Sequence, residues 1–338
     1  MSDVVFGEKY ELLEKPKYRY VPEAIETSNV RISTVVQADE LGRWKLDRRL
    51  FPRAILARNT FIRFLGRLLH RRMNTAPMKR DDIFTYLLDA KDDETDKGFT
   101  TAEIGAEAAT LIVAGSDTSS TALAGVLFYL SRYPDAYSKV VAEVRSAFAA
   151  PADVRMGTEL NSCVYLRACI DESMRMSPPG GSPLWREVNS KGLVLDGHYV
   201  HPGCDVGVGV YALHHNESYH PDPFTFRPER WLNVSGEGKT IEGKSPETVR
   251  AREAFVPFSI GPRSCIGKGF ALVELQLALA TILCSFDIRR AVGKEGNLGG
   301  GDPNDVEEGR RRENEFQLWD HITGYKKGPV LQFRNVQA

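Results

Sequence analysis

One run of the sequence, Thr100 to Tyr133, can form a single uninterrupted helix, and any fold of this chain has to accommodate it. Thr100 and Glu103 make a capping-box pattern that starts it, and Pro134 stops it. At about 1.5 Å per residue such a helix reaches roughly 50 Å, long enough to cross a whole domain. The rest of the chain must be layered around that rod.

Helical spacing recurs on both sides of it. Phe61, Phe64, Leu65, Leu68 and Leu69 repeat at helical intervals with Arg63, Arg67, Arg71 and Arg72 between them, which predicts a helix with a solvated basic face. Helices are also predicted from Tyr137 to Phe148 and from Tyr165 to Met176, the second ended by Pro178-Pro179. The pattern then becomes alternating. GLVLDGHYVHPGCDVGVGVY reads as three short strands turned at Asp196-Gly197 and Pro202-Gly203. A helix follows Cys265 with Leu272, Leu275, Leu279, Ile282 and Phe286 on one face. Residues 293–312 are rich in glycine and charge and read as a flexible loop, and alternation near Val330 and Gln332 suggests a terminal hairpin. The class is mainly α with a small β region.

The formal net charge of −1 argues against a nucleic-acid footprint. Five cysteines with no C-x-x-C pair argue against a disulfide framework or zinc ribbon and for a reducing compartment. The charged N-terminus is neither signal peptide nor anchor, and the uncharged run Thr118 to Ser131 is too short to span a bilayer. Asn216-Glu-Ser218 and Asn233-Val-Ser235 match glycosylation sequons, which carry no weight without a secretory signal. Gly207-x-Gly209-x-x-Ala212 imitates a dinucleotide fingerprint, but Pro221 and Pro223 interrupt the helix it would need. Gly261 to Gly267-Lys268 has five residues between its glycines where a phosphate loop has four. His214 and His215, as neighbours, point apart and read as surface residues.

The segment FVPFSIGPRSCIGKGFALVEL is different, because each residue near Cys265 serves a reactive sulfur. Thiolate, not thiol, is the good metal ligand. Arg263 and the N-terminus of the following helix both favour the thiolate. Gly261-Pro262 supplies a tight turn, Phe258 offers an aromatic face beside the sulfur, and Gly267 lets a flat ligand approach the backbone. Further upstream, Glu172 and Arg175 stand three residues apart on one helix face.

The spacing Phe258-x-x-Gly261-x-Arg263-x-Cys265-x-Gly267 resembles the haem-binding signature of the cytochrome P-450 family without a mismatch. Ala114-Gly115-Ser116-Asp117-Thr118-Ser119 resembles that family's oxygen-activation motif, inside the long helix. By this resemblance Cys265 is the axial thiolate ligand of a haem b, pushing electron density towards iron. Gly115 leaves room for dioxygen, Thr118 hydrogen-bonds its distal oxygen, and Asp117 relays protons. Glu172 and Arg175 match the family's E-x-x-R pair and join Arg230 of the P-E-R segment in a structural triad. Arg186, in Pro183-Leu-Trp-Arg186, and Arg263 pair with haem propionates, as an arginine fork suits a carboxylate. The chain looks closest to fungal members, for instance those resembling benzoate para-hydroxylase, with a place in secondary metabolism.

The resemblance implies a cytochrome P-450 fold lacking its N-terminal portion, so residues 1–338 are expected to be the C-terminal part of a single domain. Within it the oxygen-activation helix covers about 100–133 and the haem-thiolate loop and helix about 255–286. The implied reaction inserts one atom of O₂ into an apolar small molecule, with electrons from an NADPH-dependent flavoprotein reductase. Family resemblance places such a protein at the cytosolic face of the endoplasmic reticulum membrane. Without an anchor in this chain, the cytoplasm is the other placement. Two further readings stay open: a truncated, inactive haem-binding remnant, and a haem-thiolate isomerase or dehydratase. Asp117 and Thr118 argue against the isomerase, which needs no proton delivery to O₂.

Overall fold

The computed structural model describes residues 1–74, 82–232 and 245–336; the sequon at Asn233 lies outside them. Helices α1 (Ser2–Phe6), α2 (Tyr20–Gln37), α3 (Asp39–Arg43), α4 (Asp47–Leu50), α5 (Pro52–Asn74), α6 (Ile83–Asp89) and α7 (Thr101–Leu130) come first. They are followed by α8 (Pro134–Ala147), α9 (Thr158–Ser162) and α10 (Val164–Met176). Strands β1 (Arg186–Glu187), β2 (Leu193–Leu195), β3 (His198–Val200) and β4 (Asp205–Val206) precede α11 (Val210–His214), α12 (Pro246–Glu253) and α13 (Lys268–Ser285). The chain closes with β5 (Phe286–Arg290), β6 (Leu318–His321), β7 (Thr323–Lys326) and β8 (Leu331–Asn335).

Contacts divide the chain into two compact units, one of Met1–Thr118 with His321–Thr323, the other of Ser119–Asp320 with the tail from Gly324. In the first, Phe61, Phe64, Leu65 and Leu68 of α5 close on Val21, Ala24 and Ile25 of α2, with Phe6, Phe84, Ile104, Ala108 and Ile112 completing the core. Arg72 does not belong to the solvated face of α5. It is buried against Asp82, 3.1 Å away, which also caps α6 by accepting the Thr85 N–H at 2.9 Å. The capping carboxylate gives the buried guanidinium its counter-charge.

The expected capping box starts α7: the Thr100 N–H donates to Glu103 Oε2 at 2.7 Å, and the Glu103 N–H donates to Thr100 Oγ1 at 3.3 Å. The helix stops at Leu130, before Pro134, because the next residues turn back. Ser131 Oγ donates to the Phe128 carbonyl, and the Arg132 guanidinium lies 3.7 Å from the centre of the Phe128 ring.

The second unit is built on α8, α10, α13 and the last part of α7. Its core includes Val126, Tyr129, Val140, Leu166, Ile170, Leu275, Leu279 and Phe316. Among the described residues four two-stranded sheets flank these helices: β1 with β4, β2 with β3, β5 with β8 and β6 with β7. The β2–β3 hairpin turns at Asp196-Gly197 as expected, both residues at positive φ (47° and 79°). β4 pairs with β1, and the chain after it is helical rather than a continuing strand. Helical spacing puts Val210 and His214 on one buried face. The tail strand β8 lies antiparallel on β5, from Phe286↔Asn335 to Arg290↔Leu331.

Residues 293–312 hold two short 3₁₀ turns, Gly293–Asn297 and Glu308–Arg310, and are laced by backbone hydrogen bonds such as Gly301 N–H to the Arg312 carbonyl at 3.0 Å. Among the described residues, α7 and α13 are long and apolar enough to cross a membrane by length and composition. Core helices share that property, and α13 buries Leu275, Leu279 and Leu283 within its unit.

Candidate functional site

The loop that leads into α13 has the shape expected of it. Phe255 leaves α12, and the chain passes through Ser259 at φ 58° and Gly261 at φ 73° before a 3₁₀ turn, Gly261–Arg263. No atom stands within 4 Å of where a Cβ of Gly261 would be, so glycine is needed there for its backbone angle and not for room. The turn is pinned by Ser264 N–H donating to the Gly261 carbonyl at 3.0 Å and by Cys265 N–H donating to the Phe258 carbonyl at 2.8 Å. These bonds hold Cys265 at the tip, three residues ahead of α13, with its sulfur exposed.

At Gly267 the argument is about space. A Cβ there would lie 3.8 Å from Cys265 Sγ, an ordinary contact, so the loop itself would tolerate a methyl group. What the glycine leaves bare is the surface beside the sulfur. Around it Ile260 and Ile266 are exposed, 74% and 95%, with Phe270 at 45%. An apolar collar around an exposed thiol is costly in water and marks a surface to be covered. Arg263 is exposed and makes no hydrogen bond or ion pair among the described residues. Arg186, at the start of β1, donates to the carbonyls of Leu184 (3.3 Å) and Trp185 (2.8 Å) and to no carboxylate among the described residues. The donor set fits a haem: a sulfur for iron, apolar side chains for the macrocycle, and guanidinium groups free to take carboxylates.

Behind the loop lies a buried charge cluster. Glu172 and Arg175 on α10 are fully buried, and Arg230 nearly so. Arg175 takes Glu172 in its fork, Nε to Oε2 and Nη2 to Oε1, both at 2.9 Å. Arg230 Nε donates to Oε1 at 2.9 Å, Trp231 Nε1 to Oε2 at 3.0 Å, and the Arg227 N–H to Oε1 at 3.0 Å. Five donors on one carboxylate hold it ionised: burial pushes its pKa up, but Arg175, Arg230 and the Arg227 amide more than reverse that and leave it below the ordinary range. The remaining guanidinium nitrogens donate to carbonyls of the 214–225 segment, including Arg175 Nη1 to Pro223 at 2.8 Å and Arg230 Nη1 to Pro221 at 3.1 Å. Glu172, Arg175 and Arg230 thus stand together and fasten this meandering segment to α10.

Two buried histidines sit beside it. His214 and His220 are fully buried, contrary to the surface reading of the His214-His215 pair, and His215 is partly so. Burial, with further contributions from neighbouring positive groups, lowers both imidazoles to about 3, so they stand neutral. The strand-like sequence GVGVY hid the one-turn helix that turns His214 inwards. Its only trace is the apolar Val210 four residues earlier.

The Ala114–Ser119 segment lies on α7, with Ala114 to Thr118 in the first unit. The Asp117 carboxylate accepts from Asn29 Nδ2 at 3.2 Å and from the Thr323 hydroxyl. Thr118 donates its hydroxyl to the Ala114 carbonyl at 2.6 Å, the back-bond an ordinary helical threonine makes. A Cβ on Gly115 would lie 2.4 Å from Met1 Cε, the far end of a flexible side chain, so Met1 fills the space that the glycine leaves on that face of α7.

The site is thus an exposed cysteine on a glycine-turned loop in a mainly helical fold, beside a buried Glu–Arg–Arg cluster. Comparison with known proteins gives the family. Residues 1–297 match the family model described as Cytochrome P450. The chain is 55% identical over 334 residues to a cytochrome P450 monooxygenase of Gibberella zeae, covering 99% of this chain and 74% of that protein. It is 48% identical to the cytochrome P450 monooxygenase AKT7 of Alternaria alternata, covering 99% of this chain and 63% of that one. Crystal structures of the cytochrome P450 CYP102L1 and of the cytochrome P450DA haem domain share the fold, with TM-scores of 0.70 and 0.69, each covering 99% of this chain and 65% of the other, at 24% and 21% identity. The chain belongs to the cytochrome P450 family, whose relatives here are fungal monooxygenases and thus oxidoreductases. Family and fold imply a haem with a cysteine thiolate ligand.

Proposed function

We propose that this chain carries the haem-binding half-site and the proton-handling helix of a fungal haem-thiolate monooxygenase of secondary metabolism, acting on an apolar small molecule. The observation that carries the reading is the Cys265 loop: an exposed sulfur, a bare glycine beside it and an apolar collar. When bound, the haem supplies the iron at which dioxygen is reduced and one oxygen atom transferred. Substrate R–H, O₂, two electrons and two protons become R–OH and water.

The residues divide the work. Cys265 Sγ would hold the group as its thiolate ligand, with Phe258 beside the sulfur. Arg263 and Arg186 take its carboxylates with their forks. On α7, Gly115 keeps a side chain out of the helix face. By the family resemblance, the Thr118 hydroxyl, which here donates to the Ala114 carbonyl, would hold a proton, and the Asp117 carboxylate would receive protons and pass them on. Glu172, Arg175 and Arg230 touch nothing that reacts and hold the scaffold. Electrons come from an NADPH-dependent flavoprotein reductase. Fungal members of the family are typically membrane-associated, and we place the protein at the cytosolic face of the endoplasmic reticulum.

The test is turnover of the haem-loaded chain with a flavoprotein reductase, NADPH and ¹⁸O₂ over a panel of apolar substrates. One ¹⁸O atom in the product, with NADPH consumed in step, is the expected result. A rearranged product without ¹⁸O and without NADPH use would establish an isomerase instead.

A further inference from the structure

The Cys265 loop and the buried Glu172 cluster meet through a side chain that the haem reading leaves unassigned. His214, the last residue of α11, is fully buried. Its main-chain carbonyl accepts Arg175 Nη1 at 3.0 Å, from the same guanidinium that forks onto Glu172. Its ring reaches the other way, and Nε2 accepts the Val256 N–H at 3.0 Å. Val256 is the third residue beyond α12 and stands two before Phe258, whose carbonyl accepts the Cys265 N–H. The ring is wedged between Phe255, 5.4 Å away between centroids, and His220, 6.3 Å away and edge-on.

This arrangement gives the loop an anchor at each end. Its exit is the start of α13; its entry is the Val256 amide, which lies in neither helix nor strand and needs an acceptor from elsewhere. Between the anchors the chain takes positive φ at Ser259 and Gly261, angles that persist only where their surroundings enforce them. To accept at Nε2 the ring must be the neutral tautomer with its proton on Nδ1. Burial beside His220 and Arg175 holds it neutral.

We propose that His214 is a positioning residue for the axial sulfur: its ring fastens the entry of the 255–265 loop to the Glu172–Arg175 pair and so sets where Cys265 stands. The role of Cys265 towards iron rests on the haem reading above; the fastening of the loop does not.

The experiment compares wild type, His214→Leu and His214→Gln. Leucine keeps the buried volume but cannot accept a hydrogen bond; glutamine offers Oε1 near where Nε2 stood. Amide hydrogen exchange is followed by mass spectrometry, with and without haem. With leucine, exchange over 255–265 is expected to quicken by about tenfold or more while α10 keeps its protection, and glutamine should restore most of the difference. In the haem-loaded, reduced, CO-bound protein, leucine should at least halve the share of the thiolate-type Soret band, and glutamine should recover it. Unchanged exchange over 255–265, equal loosening of that segment and α10, or no recovery with glutamine would overturn the proposal. If wild type shows His214-dependent protection but no thiolate band, the anchoring stands and the haem reading falls.

Discussion

Within the second unit two neighbouring regions treat polar groups in opposite ways. Around Glu172 every carboxylate lone pair that faces the interior meets a donor, and the three charges are shut away from water. Around Cys265 the sulfur is exposed, its apolar neighbours Ile260 and Ile266 face outwards, and Arg263 has no partner among the described residues. The first region is complete in itself, so its contribution is to stability. The second is complete only with something laid against it, so its contribution is to binding. Substitutions should separate the two, losing stability in one and ligand in the other.

The sharpest break lies in the buried cluster. Glu172→Ala leaves Arg175 and Arg230 buried without a counter-charge, and loss of about 3–5 kcal/mol of stability is expected, read as a lower urea midpoint. Acid should attack the same region. Glu172 has a lowered folded pKa, so its stabilisation is present above the unfolded glutamate value and lost as pH falls through the folded one. His214 and His220 act earlier. Their folded values near 3 lie below the unfolded 6.5, so the unfolded chain takes up protons first and stability declines as pH drops from 6.5 towards 3. The slope is at most about 1.4 kcal/mol per pH unit for each ring, and it should flatten when both are replaced.

Gly261→Ala is next in size. Alanine at φ 73° is expected to cost about 1–2 kcal/mol, although nothing would touch its methyl group, and thermal unfolding will show it. Cys265→Ala should be the mildest for stability, within about 0.5 kcal/mol, because the side chain is exposed. A larger loss there would mean that the sulfur is part of the scaffold, and the contrast between the regions would fail.

What could be read from the amino acids follows the same division. The residues of the Cys265 loop were legible because a reactive sulfur beside a flat ligand would need each type at a set distance along the chain: Gly261 for its φ, Gly267 for bare surface, Cys265 for sulfur. Glu172 and Arg175 were legible as a pair from their helical spacing, but Arg230 came in only through the family resemblance, since nothing local links it to α10. His214 was misread as a surface residue. Its place depends on a single helical turn after a glycine-rich strand, and its partners, Arg175 and Val256, lie 39 residues before and 42 after it. Arg72 was misread for a like reason, its partner Asp82 belonging to the cap of the next helix. Short-range pattern shows what a residue can do; the buried partner that decides whether it does so is set by tertiary packing.

The central claim is that Cys265 is kept free to hold a haem iron as thiolate. Its most direct test is the carbon monoxide difference spectrum of the reduced, haem-reconstituted 338-residue chain, measured beside Cys265→Ala. The account expects a strongly red-shifted Soret band in the wild type that vanishes in the variant. Failure to take up haem, or a Soret position that the substitution leaves unchanged, would contradict it.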